Sequence, residues 1–234
     1  MVEGRFLSRP NRFIAHVDLD GTQVVCHVKN TGRCKELLLP QVPVYLEHHP
    51  GREDRKTAYS LIGVKKGESI VNIDSQAPNR VLGEALEQGI LRLPGLEQLA
   101  RIRPESTYAS SRFDFYLEGL AATEGSDIKK AFLEVKGVTL EEDGVARFPD
   151  APTQRGVRHI QELVEAVKEG YQGYIVFVIQ MEGIHRLEPN DATHPAFGDA
   201  LRQAREHGVQ VLAYLCRTSR DELVLTETRC PVTL

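Results

Sequence analysis

The sequence contains few cysteines, and their spacing is not that of a metal or redox motif. Its four cysteines, Cys26, Cys34, Cys216 and Cys230, include no C-x-x-C pair, which is the spacing common in zinc and dithiol sites. We therefore expect reduced thiols, a cytoplasmic location and no zinc site.

Long apolar segments are also missing. The longest apolar runs, such as residues 174–179, are far shorter than the roughly 20 residues of a membrane-spanning helix. Residues 1–13 lack the apolar core of a secretory signal. The 234 residues are 41% hydrophobic and 26% charged, which is typical of a soluble globular protein of one large or two small domains and excludes a membrane partner.

The charge is unevenly distributed along the chain. The net charge is −4, but residues 1–66 carry +4 (11 Lys and Arg against 7 Asp and Glu) and residues 67–234 carry −8. A basic head on an acidic body is consistent with one part binding phosphates and the other binding a cation. Ordinary surface variation explains a surplus of this size equally well.

The first 66 residues have the pattern of a small β-barrel. Short β-rich runs are separated by turn signals such as Asp20-Gly21, and a polar loop is predicted at residues 50–56. The runs predicted as strands are 12–19, 22–28, 44–48 and 59–64, within a set of about five. Closing such short strands into a barrel removes exposed edges, so we predict a barrel domain at residues 1–66.

The remaining residues, 67–234, alternate between helical and β periodicity. Apolar residues at helical spacing predict helices at residues 79–91, 153–169 and 195–207. Strands are predicted at residues 101–109, 112–117, 131–138, 173–180 and 209–216, with a polar loop at 118–130. This order predicts an α/β (α+β) domain with a mixed central sheet.

Two of these strands carry charged residues in their interior. Asp114 stands among apolar residues predicted to share the opposite face, Phe113, Phe115 and Leu117. Glu134 and Lys136 are two apart, so they point to one side of their strand. If the two strands pair as a hairpin, Asp114, Glu134 and Lys136 converge on one site.

Such a site favours a divalent metal. Two carboxylates about 4 Å apart repel by roughly 4 kcal/mol at an effective dielectric near 20, and a bound cation removes that cost. Oxygen ligands from Asp114, Glu134 and the Val135 carbonyl favour Mg²⁺ or Mn²⁺. Lys136 would orient or activate the attacking water, or stabilise charge on phosphorus. The alternative is a carboxylate–lysine ion pair on an edge strand.

The order D…E-V-K on two strands before an α-β unit resembles the PD-(D/E)xK nuclease superfamily, with Phe113 where the eponymous proline would stand. More specifically, HVKNTGRCKELL (27–38), SRFDFYL (111–117), EVKGVTL (134–140) and ARFPDAPTQRGVRHIQEL (146–163) resemble the sugar fermentation stimulation protein A family. The resemblance implies an N-terminal OB-fold, a C-terminal nuclease-like domain, association with DNA and a regulatory role in sugar (maltose) catabolism.

The superfamily resemblance also adds candidate site residues. Glu84, in the helix predicted at 79–91, matches an additional metal ligand, and its alternative role is a solvated helix glutamate. Arg155 and His159 are four apart near the start of the next helix, where an arginine could bind a phosphate. An exposed basic pair is the alternative.

The basic head offers a second group of candidates for contact with DNA. OB barrels bind nucleic-acid strands through a basic groove and aromatic platforms. The candidate DNA-binding residues of the head are Arg9, Arg12, Lys29, Asn30, Arg33 and Lys35.

These observations leave several functions open. The first is a Mg²⁺- or Mn²⁺-dependent deoxyribonuclease that acts on single- or double-stranded DNA through Asp114, Glu134 and Lys136. The second is a non-catalytic, largely sequence-nonspecific DNA-binding regulator on a nuclease scaffold. A third is a small-molecule enzyme with an acidic metal site, which the absence of a Gly-rich phosphate loop and of a Ser/His/Asp arrangement does not exclude. Whether the chain forms a homo-oligomer also stays open.

Overall fold

A computed structural model describes residues 1–30, 32–51, 55–121 and 127–234. The predicted loop at 50–56 therefore lies partly outside the described residues, as does the predicted loop at 118–130. Where residues 118–121 and 128–130 are described, they belong to two strands. The hairpin strands are thus longer than their apolar runs predicted.

The N-terminal region is a closed five-stranded barrel, as predicted. Its strands are β1 (Val2–Asn11), β2 (Ile14–Leu19), β3 (Thr22–Val28), β4 (Pro43–His48) and β5 (Tyr59–Lys66). They are ordered β3-β2-β1-β4-β5, and a parallel pairing of β3 with β5 closes the barrel. A short strand, β6 (Ser69–Asn72), continues the sheet beyond β5. The pattern of the first eleven residues did not predict β1.

The second region is an α/β domain with a mixed six-stranded sheet. Its elements are α1 (Ala77–Glu87), β7 (Leu96–Tyr108), β8 (Ser111–Ala121), β9 (Ile128–Val138), β10 (Leu140–Glu142), β11 (Val145–Phe148), α2 (Gln154–Lys168), β12 (Gln172–Ile179), β13 (Arg186–Pro189), α3 (Pro195–Glu206), β14 (Gln210–Thr218) and β15 (Leu223–Arg229). The main sheet has the order β15-β14-β12-β9-β8-β7, and β10, β11 and β13 form a separate small sheet.

The central strands β9, β12 and β14 run parallel, and the outer strands are antiparallel. Helix α1 covers one face of the sheet, where Leu82 packs near Leu133 and Val176. Helices α2 and α3 cover the other face, where Ile160 packs near Phe177. Because both faces are covered, β12 is a nearly continuous apolar run. This confirms the predicted fold class.

The helices agree with the predicted segments except at one end. Helix α1 ends at Glu87, and Gly89 follows with a φ of +68°, a conformation that ends helices and that glycine adopts without strain. The predicted helix, residues 79–91, is too long at its C-terminal end because the apolar residues Ile90 and Leu91 lie beyond the observed helix. None of the helices in the described ranges is long and apolar enough to cross a membrane. All four cysteines are buried and free.

Candidate active site

The site lies where β8 and β9 separate. Their antiparallel ladder extends from Leu120↔Ile128 to Phe115↔Leu133 and stops there. Two residues further along β9, the backbone N–H of Val135 donates to Oδ2 of Asp114 at 2.7 Å. The carboxylate of Asp114 therefore accepts a hydrogen bond that a carbonyl of β8 would otherwise accept.

This separation corrects one prediction for β8. Phe113 does not share a face with Phe115 and Leu117, because it packs on the α2 side of the sheet against Phe132, with ring centroids 5.3 Å apart. Strict alternation fails at this point, where β8 has left β9 but stays paired with β7. Asp114 consequently points towards the start of α1 and the edge of β9.

Asn79, in the first turn of α1, fixes the other oxygen of Asp114. Its Nδ2 donates to Oδ1 at 2.6 Å, so both carboxylate oxygens have a donor. The sequence analysis missed Asn79. The available signal was a polar residue directly after Pro78 in a helix whose other inward positions are apolar.

Glu134 is 4% exposed and is the most deeply buried charged residue of the site. Lys136 donates to its Oε1 from Nζ at 2.6 Å, and His159 Nδ1 lies 2.7 Å from the same oxygen. The second oxygen, Oε2, is buried and has no hydrogen-bond partner among the described residues. A buried, unpartnered carboxylate oxygen is costly, so this oxygen is free to accept a ligand.

The two carboxylates are electrostatically unequal. Burial raises the pKa of Asp114 above its ordinary value, and the charge of Glu134 raises it further, against the opposing effects of the Val135 N–H, Lys136 and Asn79. Burial also favours the neutral form of Glu134, but hydrogen bonds from His159 and Lys136 outweigh it and lower its pKa. The pair therefore lacks enough positive charge for two buried carboxylates, although Lys136 lies beside them.

The donor set fits a hard divalent cation that is only partly held by the protein. No group of three or more His, Cys, Asp or Glu side chains in the described part of the chain could hold a metal ion. Asp114 and Glu134 supply two carboxylates, one of them with the open Oε2. Mg²⁺ is commonly bound by one or two carboxylates, with waters and substrate phosphates completing its octahedron.

Gly137, near the end of β9, packs closely against Gln180, which follows β12. A Cβ on Gly137 would lie 2.6 Å from both Gln180 Oε1 and Pro78 Cγ, so no larger residue fits there without a shift. Gln180 is 2% exposed, and its Nε2 donates to the carbonyls of Asn72 and Asp74 at 3.0 and 3.1 Å. It thereby connects the sheet beside the site to the end of the barrel. Sequence reasoning did not identify Gln180 because it follows an apolar run with no local motif.

The structure does not bring Glu84 to the carboxylate pair. Its side chain is exposed and lines a cleft of about 400 Å³ with Lys29, Asp74 and Asp221. The residue of α1 that contacts Asp114 is Asn79. The two positions are five residues apart, which places them on different sides of a helix with 3.6 residues per turn.

The two candidates on α2 are brought to the site in different ways. Arg155 is exposed, and its Nε donates to His159 Nε2 at 3.2 Å. His159 is only 3% exposed and contacts Glu134. The geometry leaves Arg155 accessible to a phosphate but does not bring His159 to the surface.

Three of the six candidates in the barrel are occupied by internal contacts. The guanidinium of Arg9 donates to the carbonyls of Arg12, Asn30, Gly32 and Arg33 at 2.6–2.8 Å. These contacts hold the loop after β3 against β1, so Arg9 is a structural residue.

Lys29 and Asn30 also face inward. Lys29 Nζ lies 3.3 Å from Glu47 and 3.4 Å from Asp74. Asn30 donates from Nδ2 to the carbonyl of Ile73 at 3.0 Å and accepts from the N–H of Gly32 at 2.7 Å. Both residues therefore join the barrel to the segment before α1.

The other three, Arg12, Arg33 and Lys35, are exposed. They line a concavity of about 280 Å³ on the barrel. The guanidinium of Arg12 lies 4.8 Å from the ring centroid of Phe13, which is 45% exposed. An exposed aromatic ring beside three cations is a surface of the kind that binds nucleic-acid strands.

Together these features define a class: a protein with an OB barrel followed by an α/β domain that carries an acidic site at the end of its central strands. Comparison with family models gives the family. Residues 7–73 match the SfsA N-terminal OB domain, and residues 76–222 match the sugar fermentation stimulation protein RE domain. The chain belongs to the sugar fermentation stimulation protein family.

Individual relatives are similar to this chain along most of their length. A sugar fermentation stimulation protein homolog of Desulfitobacterium hafniense is 54% identical over 221 residues, covering 94% of this chain and 91% of that protein. A homolog of Clostridium beijerinckii is 49% identical over 223 residues, covering 95% and 93%. The solved structure of Pyrococcus furiosus SfsA in complex with Ca²⁺ has a TM-score of 0.86 and 28% identity, covering 99% of this chain and 95% of that chain.

Proposed function

We propose that this protein is a deoxyribonuclease that hydrolyses phosphodiester bonds with the help of Mg²⁺ or Mn²⁺. The observation that carries the proposal is the buried oxygen Oε2 of Glu134, which has no partner in the described chain although it lies in a site with Asp114 and Lys136. An ion pair alone would leave that oxygen without compensation. A cation bound there would satisfy it and relieve the repulsion between the carboxylates.

The proposed ligands are Asp114, Glu134 and the carbonyl of Val135. The N–H of Val135 faces Asp114 beyond the end of the β8–β9 ladder. Its carbonyl faces the same way, because the N–H and C=O of one strand residue point to the same neighbour. The bound metal would polarise the scissile phosphate and lower the pKa of a water. Glu84 is left out of the proposed ligand set because it lies in a different cleft.

The chain's own side chains would orient the reactants. Lys136 is held by Glu134 at 2.6 Å and is half-buried, so its ammonium is positioned to hold the attacking water or to stabilise charge on the phosphate. Arg155 uses only Nε in its contact with His159. Its outer nitrogens are the groups we assign to a phosphate of the substrate strand.

One relative supports a hard cation. The Pyrococcus furiosus protein forms a complex with Ca²⁺, an ion that prefers oxygen ligands as Mg²⁺ and Mn²⁺ do. The proposal also places the protein in the cytoplasm with DNA, where its four free thiols would stay reduced.

The test is cleavage of single-stranded, duplex and branched DNA by purified protein with Mg²⁺ or Mn²⁺. Asp114→Asn and Lys136→Ala should each lower the rate roughly 100-fold or more, since the first removes a proposed metal ligand and the second a group that acts on the attacking water or the phosphate. Matched controls on the same strands are Glu118→Gln on β8 and Lys130→Ala on β9, which should keep wild-type rates. Equal rates in all four variants would assign the cleavage to a contaminant and remove the proposal.

A second candidate is a DNA-binding regulator that does not cut, as the sugar fermentation name of the relatives favours. The observation behind it is the exposed group of Arg12, Arg33 and Lys35 beside Phe13 on the barrel. On this hypothesis DNA binding survives Asp114→Asn and Lys136→Ala and weakens as salt is added. Binding that is absent, or insensitive to salt, would contradict it.

A further inference from the structure

The contacts of Glu134 extend through His159 to the surface of α2. Arg155 Nε donates to His159 Nε2 at 3.2 Å, and His159 Nδ1 lies 2.7 Å from Glu134 Oε1. Arg155 and His159 are one helical turn apart, so a single helix holds both in register with the site.

These contacts define which ring nitrogen of His159 carries the proton. Because Arg155 Nε is always a donor, Nε2 of His159 must accept and is unprotonated. Nδ1 then carries the proton and donates it to Glu134. The hydrogen bonds then run in one direction, from Arg155 to His159 and from His159 to Glu134.

The surroundings of His159 keep its ring in place. The ring is 3% exposed and packs edge-on against Phe113, with centroids 6.0 Å apart. The neighbouring residues Ile160 and Leu163 fix this part of α2 in the core. A histidine fixed in this way can determine the rotamer of the side chain that it contacts.

The two oxygens of Glu134 are consequently held differently. Oε1 accepts from both His159 and Lys136, whereas Oε2 has no partner within the described ranges. Fixing one oxygen with two donors fixes the direction of the other. Partners of this kind orient the ligands of metal sites.

We propose that His159 is a positioning residue that turns Oε2 of Glu134 towards a divalent cation, with Arg155 holding the ring so that Nδ1 faces Glu134. This inference rests on the proposed function, because it requires a cation at the carboxylate pair. It assigns His159 no contact with DNA or with the reacting phosphate.

The test measures Mn²⁺ binding to the full chain by titration calorimetry, without DNA. His159→Phe keeps a ring against Phe113 and removes the donor, so it should weaken Mn²⁺ binding roughly 10- to 100-fold. His159→Asn keeps an amide donor near the position of Nδ1 and should bind Mn²⁺ within a few-fold of wild type. Arg158→Ala, an exposed change on the same helix, is the matched control and should not alter binding. Thermal unfolding without metal shows that each variant is folded.

The outcomes separate this inference from the proposed function. If wild type and His159→Phe bind Mn²⁺ equally, the positioning role is wrong and the nuclease proposal stands. If wild type binds no Mn²⁺ and cuts no DNA, both fall. Nitrogen-15 NMR of wild-type histidines gives a readout that needs no variant. We expect Nδ1 of His159 to carry a proton, and an unprotonated Nδ1 would overturn the inference.

Discussion

Ionisable residues are used differently in the two regions of this molecule. At the carboxylate site, Asp114, Glu134 and His159 come from three different elements and are brought together by the fold. In the barrel, neighbouring basic candidates have different surroundings. Arg9 and Lys29 turn inward to carbonyls and carboxylates, and Arg33 stays at the surface.

The difference shows that partners determine the role of a charge more than its sequence neighbours do. A guanidinium surrounded by four carbonyls has few donors left for a phosphate. A carboxylate oxygen that is buried without a donor needs a ligand.

The largest effect is expected for Arg9→Ala. The guanidinium of Arg9 donates to four backbone carbonyls, and its removal leaves these acceptors without donors. We therefore expect the free energy of unfolding to fall by roughly 2–4 kcal/mol. Lys35→Ala, an exposed change in the same loop region, should alter it by less than about 0.5 kcal/mol. Urea denaturation measures both. Equal stability of the two variants would show that Arg9 is not a structural residue.

A smaller effect is expected on DNA affinity when the exposed cations of the barrel are removed together. In the triple variant Arg12→Ala, Arg33→Ala and Lys35→Ala, DNA binding should be weaker. The slope of log K against log salt concentration should become shallower by roughly 0.9 per lost phosphate contact. The control triple Lys129→Ala, Lys130→Ala and Arg205→Ala removes the same charge from other exposed positions. Fluorescence anisotropy over a salt series measures both slopes. If both variants lose the same slope, the effect is one of net charge and the barrel surface has no special role.

The smallest effect is expected at the contact between the two regions, where Lys66 of β5 donates to the side chain of Glu141 and to its carbonyl at 3.0 Å. Burial favours the neutral form of Glu141, but the hydrogen bonds from Lys66 and the Gly144 N–H outweigh it and lower its pKa below the ordinary 4.5. The ionised carboxylate therefore stabilises the folded state above pH 4.5, and this contribution is lost as the pH falls through the lowered pKa.

Glu141→Gln should accordingly reduce the free energy of unfolding at pH 7 by less than about 1 kcal/mol, as for other partly exposed ion pairs. The difference from wild type should shrink as the pH is lowered below 4.5, which denaturant titrations at several pH values would measure. A difference that grows on acidification would contradict the sign of this linkage.

Much of the fold could be predicted because its elements have strong periodicity. The apolar stripe of α2 and the continuous run of β12 identify their elements from local sequence alone. Short or irregular strands could not be predicted in this way. Strand β1 pairs with β4 as well as with its neighbour β2, and β11 of the small sheet pairs with the distant β13. Pairing with a distant strand leaves little signal in the local sequence.

The candidate site was partly predictable for a similar reason. The spacing of Glu134 and Lys136 on one strand determines that they share a side, and Lys136 does contact Glu134. Asn79 and Gln180 had no comparable motif. Glu84 was chosen from the superfamily resemblance, but the position of α1 on the sheet puts Asn79 beside Asp114 instead.

By itself the sequence determined which residues carry charge within apolar strands, where the barrel and the α/β region lie, and the similarity to the sugar fermentation stimulation family. Tertiary structure alone decided that β8 leaves β9 at Asp114 and that His159 rather than solvent contacts Glu134. It also decided that the guanidinium of Arg9 donates to four backbone carbonyls. The physical reason is that periodicity is a property of local backbone geometry. Hydrogen-bond partners, by contrast, are set by which distant segments pack together, and a buried polar atom must find its partner among them.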